Sequence, residues 1–130
     1  MATSTIKTDN GIAHELWVNE NPNSDFEPGT INLNSGLSNY NFVEVIYRVS
    51  KSVNVQKSTG RCVLDTLSST YFGIYLESVG SGGRNCTRTL VKASNTSFTA
   101  EQGYRYNSYN DNSPETVNSI CIPYKIYGYV

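Results

Sequence analysis

The stretch Phe42–Ser50, FVEVIYRVS, constrains this chain more than any other part of it. Val43, Val45, Tyr47 and Val49 fall at every second position, and Phe42, Glu44, Ile46 and Arg48 occupy the positions between. A period of two over β-branched and aromatic residues lines up one face of a strand; a helix repeats its apolar positions every three to four residues. The stretch 71–79 has the same character, with Phe72, Ile74 and Leu76 expected inward and Tyr71, Tyr75 and Glu77 outward.

Shorter strands are expected around these two. They fall at Ile31 and Leu33, at Arg61–Leu67, at Cys86–Ala93, at Phe98 and Ala100, and at Tyr104, Tyr106 and Ser108. The closing SICIPYKIYGYV reads as two short strands divided by Pro123, which lacks the N–H that a ladder needs. Turn-rich segments separate them: NENPNSDFEPGT at 19–30, KSTG at 57–60, the glycine-rich VGSGGRN at 79–85 and NSYNDNSP at 107–114. Ser, Thr and Asn supply 43 of the 130 residues, and ten tyrosines outnumber four phenylalanines. That mixture favours strands and turns over helices. The expected fold is all-β, an antiparallel, jelly-roll-like β-sandwich over 16–130, preceded by an extended N-terminal arm over 1–15.

The arm has little to bury by itself. Ile6, Ile12 and His14 are the residues by which it would dock on another chain. The low hydrophobic fraction of 38% points the same way, because part of the apolar surface would then be completed by a neighbouring subunit. The net charge is −1 and the ten Lys and Arg residues are scattered. That argues against nucleic acid and anionic membranes, which select clustered positive charge. No apolar run approaches the length of a membrane span, and MATSTIKTDNG has neither the basic nor the apolar part of a signal peptide.

Catalytic chemistry finds little to use. His14 is the sole histidine and sits in the arm. Cys62, Cys86 and Cys121 form no CxxC pair, so they read as buried free thiols rather than zinc ligands. Glu44, Asp65, Glu77 and Glu101 are not paired by spacing, as a glycosidase requires. VGSGGRN lacks the Lys-Ser/Thr ending and the following helix of a phosphate loop. No enzyme, metal or cofactor is expected. The segment GYRYNSYNDNSP at 103–114 is more suggestive of binding. It sets Tyr104, Tyr106 and Tyr109 beside Arg105, Asn107, Asn110 and Asp111. Flat aromatic faces with planar amides and a carboxylate suit sugar hydroxyls, and they equally suit adaptable protein contacts.

HELWVNENPNSDFEPGTINLNSGLSNYNFVEVIYRVS at the front and ICIPYKIYGYV at the end resemble a domain of tailed-bacteriophage structural proteins. The resemblance rests on an opening of the type L-W-x-N-x-x-P-x-S-x-F, here Leu16, Trp17, Asn19, Pro22, Ser24 and Phe26. It continues through Ile31, Leu33 and Tyr40 to a closing C-I-P-Y-x-I-Y-G, here Cys121, Ile122, Pro123, Tyr124, Ile126, Tyr127 and Gly128. It implies a virion protein made in the host bacterial cytoplasm, with structural motif residues and with Trp17 meeting the closing segment in the core. Its partners would be other virion proteins, further copies of itself in a homo-oligomer such as a trimer, and a host cell-surface glycan. Tail-fibre or receptor-binding display is the leading form of this expectation. A capsid decoration or head-fibre protein without a host ligand is the alternative, and a stand-alone carbohydrate-binding module is a third reading.

Overall fold

The computed structural model describes residues 11–64, 72–80, 83–107 and 112–130. Among the described residues eleven strands make two antiparallel sheets, and a 3-10 turn lies at Leu37–Asn39. None of these residues forms a helix long and apolar enough to cross a membrane.

The first sheet is built on β3 (Phe42–Ser50) and β11 (Ile120–Tyr129), which pair along nearly their whole length. β1 (His14–Val18) flanks β11; β4 (Gln56–Ser58) and β5 (Cys62–Val63) lie end to end along the other side of β3. In the second sheet β7 (Asn85–Ser94) is central. β6 (Gly73–Val79) covers one of its edges, and β8 (Ser97–Ala100) and β9 (Tyr104–Tyr106) share the other. β2 (Gly29–Asn32) and β10 (Glu115–Thr116) complete the sheet beside β8 and β9.

Side chains of both sheets meet in one cluster. Val43 and Val45 of β3, Ile126 of β11, Ile74 and Leu76 of β6, Leu90 of β7 and Phe98 of β8 are all buried in it. The alternation of β6 runs as the sequence requires, with Tyr75 and Val79 left exposed. That of β3 holds through Tyr47 and breaks at Arg48, which is buried where Asn23 and the Lys51 carbonyl accept from its guanidinium, while Val49 is half-buried. Tyr47 links the sheets through its hydroxyl. It donates to the Glu77 carbonyl at 2.7 Å and accepts the Glu77 N–H at 3.1 Å. These are backbone groups of β6 that its pairing with β7 leaves over, so one hydroxyl also blunts part of that strand's outer edge.

Three features differ from the sequence expectation. The closing segment is one strand, not two. β1 pairs with β11 only from Lys125 onward, so the edge of Pro123 facing β1 carries no ladder bond to lose. The Pro123 carbonyl on that edge accepts from Asn19 Nδ2 at 2.9 Å, and the register shift between Pro123 and Lys125 lets β11 continue along β3. Second, the folded domain begins before residue 16. His14 pairs with Gly128 and its ring lies 5.6 Å from that of Tyr40, while Ile12 is exposed and Ile6 lies outside the described residues. Third, the strand expected at Arg61–Leu67 is confined to Cys62–Val63 among its described residues, which end at Leu64.

Arg88 is the largest fully buried side chain. It stands on β7 between Cys86 and Leu90, on the core face, with Glu27 and Asp25 acting on it at longer range and no carboxylate among the described residues in ion-pair contact with it. Its guanidinium instead donates to backbone carbonyls: Cys121 at 3.0 Å, Glu101 at 2.8 Å, and Asn118 and Ile120 each at 3.2 Å. In a regular strand successive carbonyls point to opposite edges. Cys121 adopts φ +45°, a conformation that costs a non-glycine residue about 1–3 kcal/mol. The turn aims the Ile120 and Cys121 carbonyls at one cation. Gly103 completes the nest, since a Cβ there would come within 2.1 Å of the Val117 carbonyl and 3.2 Å of the guanidinium. Burial pushes the Arg88 pKa down to about 10, so the group is still charged at neutral pH.

Replacing Arg88 with Met keeps the apolar stem and strands the carbonyls. With each unsatisfied acceptor costing about 1–3 kcal/mol, Arg88→Met is expected to lower the unfolding free energy by at least about 3 kcal/mol, read from urea denaturation. Arg88→Lys should recover only part, because an ammonium cannot present the planar fork of donors.

Candidate functional site

The tyrosine-rich segment is divided by the strand it lies on. Tyr104 and Tyr106 stand on the outer face of β9, across from Thr87 and Asn85 of β7, and both are half-buried. Arg105 turns to the other face, where its strand neighbour is the buried Cys86. Its guanidinium lies 3.5 Å from the Glu115 carboxylate of β10. Asn107 leaves the strand and accepts from Arg84 at 3.1 Å. Tyr109, Asn110 and Asp111 lie outside the described residues. Among the described candidates, two tyrosines face outward and the arginine faces a cleft.

That cleft opens at one end of the two sheets and has a volume of about 380 Å³. Val49 and the turn Ser50–Val53 form one wall, Ser78, Val79 and Gly80 at the end of β6 form another, and Cys86, Arg105, Ser119 and Ile120 close it. The walls are held from within. Lys51 N–H donates to the Ser119 carbonyl at 2.9 Å, and Val53 N–H donates to Ser50 Oγ at 3.1 Å. Gly80 N–H donates to the Arg84 carbonyl at 2.8 Å, closing the β6–β7 hairpin. Lys51 also pairs with Asp25 at 2.9 Å, both side chains nearly half-exposed. Nothing in the sequence marked this cleft, whose walls are far apart along the chain and individually ordinary.

The motif residues have structural work. Trp17 lies opposite Ile126, and a bulge at Leu16 lets the adjacent Leu16 and Trp17 both pack against the core. Trp17 meets Phe26 edge to face at 5.9 Å, and the Phe26 ring lies 5.6 Å from the Arg88 guanidinium. Phe26 N–H donates to the Asn118 carbonyl at 2.9 Å, the same carbonyl that Arg88 holds. Asn19 N–H donates to Tyr124 at 2.7 Å, beside the bond from its side chain to Pro123. Pro22 is half-buried in the loop between β1 and β2, while Ile126 is fully buried and Tyr124 and Tyr127 are half-buried on β11. The Tyr40 ring packs on Gly128, where a Cβ would approach it to 2.7 Å.

The three cysteines are free; Cys86 and Cys121 are buried and Cys62 is half-buried. Burial pushes the Cys121 thiol up to about 11, against a Ser78 hydroxyl contact at 3.5 Å that lowers it. Glu44 accepts from the Tyr129 hydroxyl at 2.6 Å and from Ser58. Among the described residues no three His, Cys, Asp or Glu side chains are grouped to hold a metal ion. Comparison with protein-family models, with curated proteins and with solved structures yields no match.

A thiol held protonated by the fold links stability to alkaline pH. Below the ordinary value of 9.0 the thiol is protonated in both states and its stabilising effect is fully present; as pH rises from there through about 11 the unfolded chain ionises first and that stability is lost. Urea midpoints are expected to fall across that window, and Cys121→Ala should flatten the fall. At pH 8 the native protein should leave Cys121 unlabelled by a thiol reagent that modifies it in urea.

Proposed function

We propose that this chain is a non-enzymatic structural protein of a tailed-bacteriophage virion, displayed on the particle as a homo-oligomer and contributing to attachment to the host surface. One observation carries the reading. The two segments on which the phage resemblance rests pair with each other as β1 and β11, and their motif side chains converge on Arg88, Pro123 and Tyr40. Residues so far apart in the chain then form a single domain signature whose role is architectural, as expected of a virion component. The two sheets around one core support a jelly-roll-like sandwich as its finer form, and the residues before Gly11 are assigned to the docking arm.

The exposed face supports a contact role. Tyr75, Val79, Tyr104 and Tyr106 line the outer side of the second sheet around Thr87 and Thr89. This weakly charged, aromatic and hydroxylic surface suits oligomer contacts and receptor recognition alike.

Immunogold labelling of purified particles should place the protein on the virion; absence from particles overturns the proposal. A chain starting at Gly11 retains every described strand. It should therefore keep its β-sheet circular dichroism while losing incorporation into particles; normal incorporation removes the arm's role. Tyr104→Ser with Tyr106→Ser should reduce adsorption to host cells without reducing incorporation. Wild-type adsorption would favour plain capsid decoration.

A further inference from the structure

We infer that the cleft between the sheet ends is a binding site for an acidic saccharide, a sugar residue bearing a carboxylate. The inference rests on and deepens the attachment role proposed above by naming a ligand class and by adding to the tyrosine face a cleft built on Arg105 and Lys51.

Size and chemistry lead to this ligand. About 380 Å³ lies within the ~300–1,000 Å³ range of small-molecule sites. Val49, Val53 and Ile120 supply an apolar lining, the kind of surface against which the C–H faces of a pyranose pack. Ser50, Ser52 and Ser119 add hydroxyls, which both donate and accept, as sugar hydroxyls do. The described lining carries two cations, Lys51 and Arg105, and no carboxylate. A neutral sugar would leave those cations unused, and a bare anion would leave the apolar lining unused.

Both cations can be recruited. Each is engaged only by a carboxylate at the surface: Asp25 for Lys51, and Glu115, itself half-exposed, for Arg105. The exposed Lys51–Asp25 pair contributes about 0–1 kcal/mol, and the more enclosed Arg105 meets the half-exposed Glu115 only at 3.5 Å, so a ligand carboxylate entering the cleft can replace either partner. Arg105 is the better placed of the two, because β9 fixes its backbone and its guanidinium can meet a carboxylate through two parallel bonds. The site draws on both sheets, with Lys51 from the end of β3 and Arg105 from β9. It therefore exists only in the folded domain.

The test uses the purified full chain and amide chemical-shift titration with methyl β-D-glucuronide. Methyl β-D-glucoside and acetate serve as the neutral-sugar and bare-anion probes. Shifts at Lys51, Ser52, Arg105 and Ser119 are expected with the glucuronide and far weaker ones with either control. Arg105→Gln should weaken binding about tenfold, the loss typical of one charge-assisted contact. Glu115→Gln should strengthen it, because the competing carboxylate is gone; this rise is not expected of a variant that merely perturbs the fold. Equal response to the glucoside or to acetate, or no response at these residues, overturns the inference. Particle labelling tests the virion assignment separately, so a labelled virion protein that ignores glucuronide loses only this site.

Discussion

A guanidinium buried out of direct contact with any carboxylate must be surrounded by oxygen, and in this protein the backbone supplies it. Arg88 draws carbonyls from the segment before β9 and from the approach to β11, and so ties the central strand of one sheet to the entry of the main strand of the other. Much else follows from that demand. Cys121 takes a left-handed conformation so that neighbouring carbonyls converge, Gly103 must lack a side chain, and Phe26 closes the nest from the loop after β1. An apolar residue at 88 would need none of these features. The charge thus selects one chain path among the many that could bury the same aliphatic surface.

The ends of the chain are joined by a related constraint. β11 carries a proline and a bulge, each a weakness in an interior strand, and Asn19 meets both with its backbone and its amide. Trp17, Asn19 and Phe26 therefore belong to the same structural unit as Cys121, Pro123 and Tyr124. Their spacing in the sequence reflects the reach of the loop between β1 and β2. The cleft lies at the edge of this unit: Ser119 and Ile120, which lead into the Arg88 nest, also form part of its wall. Whatever fixes Arg88 also fixes one side of the candidate site.

The period-two pattern identified β3 and β6 and most of their inward residues, because the pleat enforces alternation; it missed the burial of Arg48 on the other face of β3, which the loop residue Asn23 helps to bring about. The same parity was available at β7, where Cys86, Arg88 and Leu90 fall on one face. A charged residue in that row reads as solvent-facing by type, and only its neighbours place it in the core. Pro123 misled in the opposite direction. Its missing N–H ends a strand only where a neighbour would have used it, and β1 stops short of that point.

By itself the sequence determined the all-β class of fold and the strands β3 and β6 with most of their inward residues, since these follow from local alternation and turn chemistry. It also placed Tyr104 and Tyr106 together on one strand. Tertiary structure alone decided that Arg105 parts from those tyrosines and joins Lys51 at a cleft, and that Arg88 organises the centre of the domain. The physical reason is common to both. A side chain's face is set by its own strand, but its partners are set by register and by the packing of one sheet against the other. Those depend on residues that local pattern cannot connect.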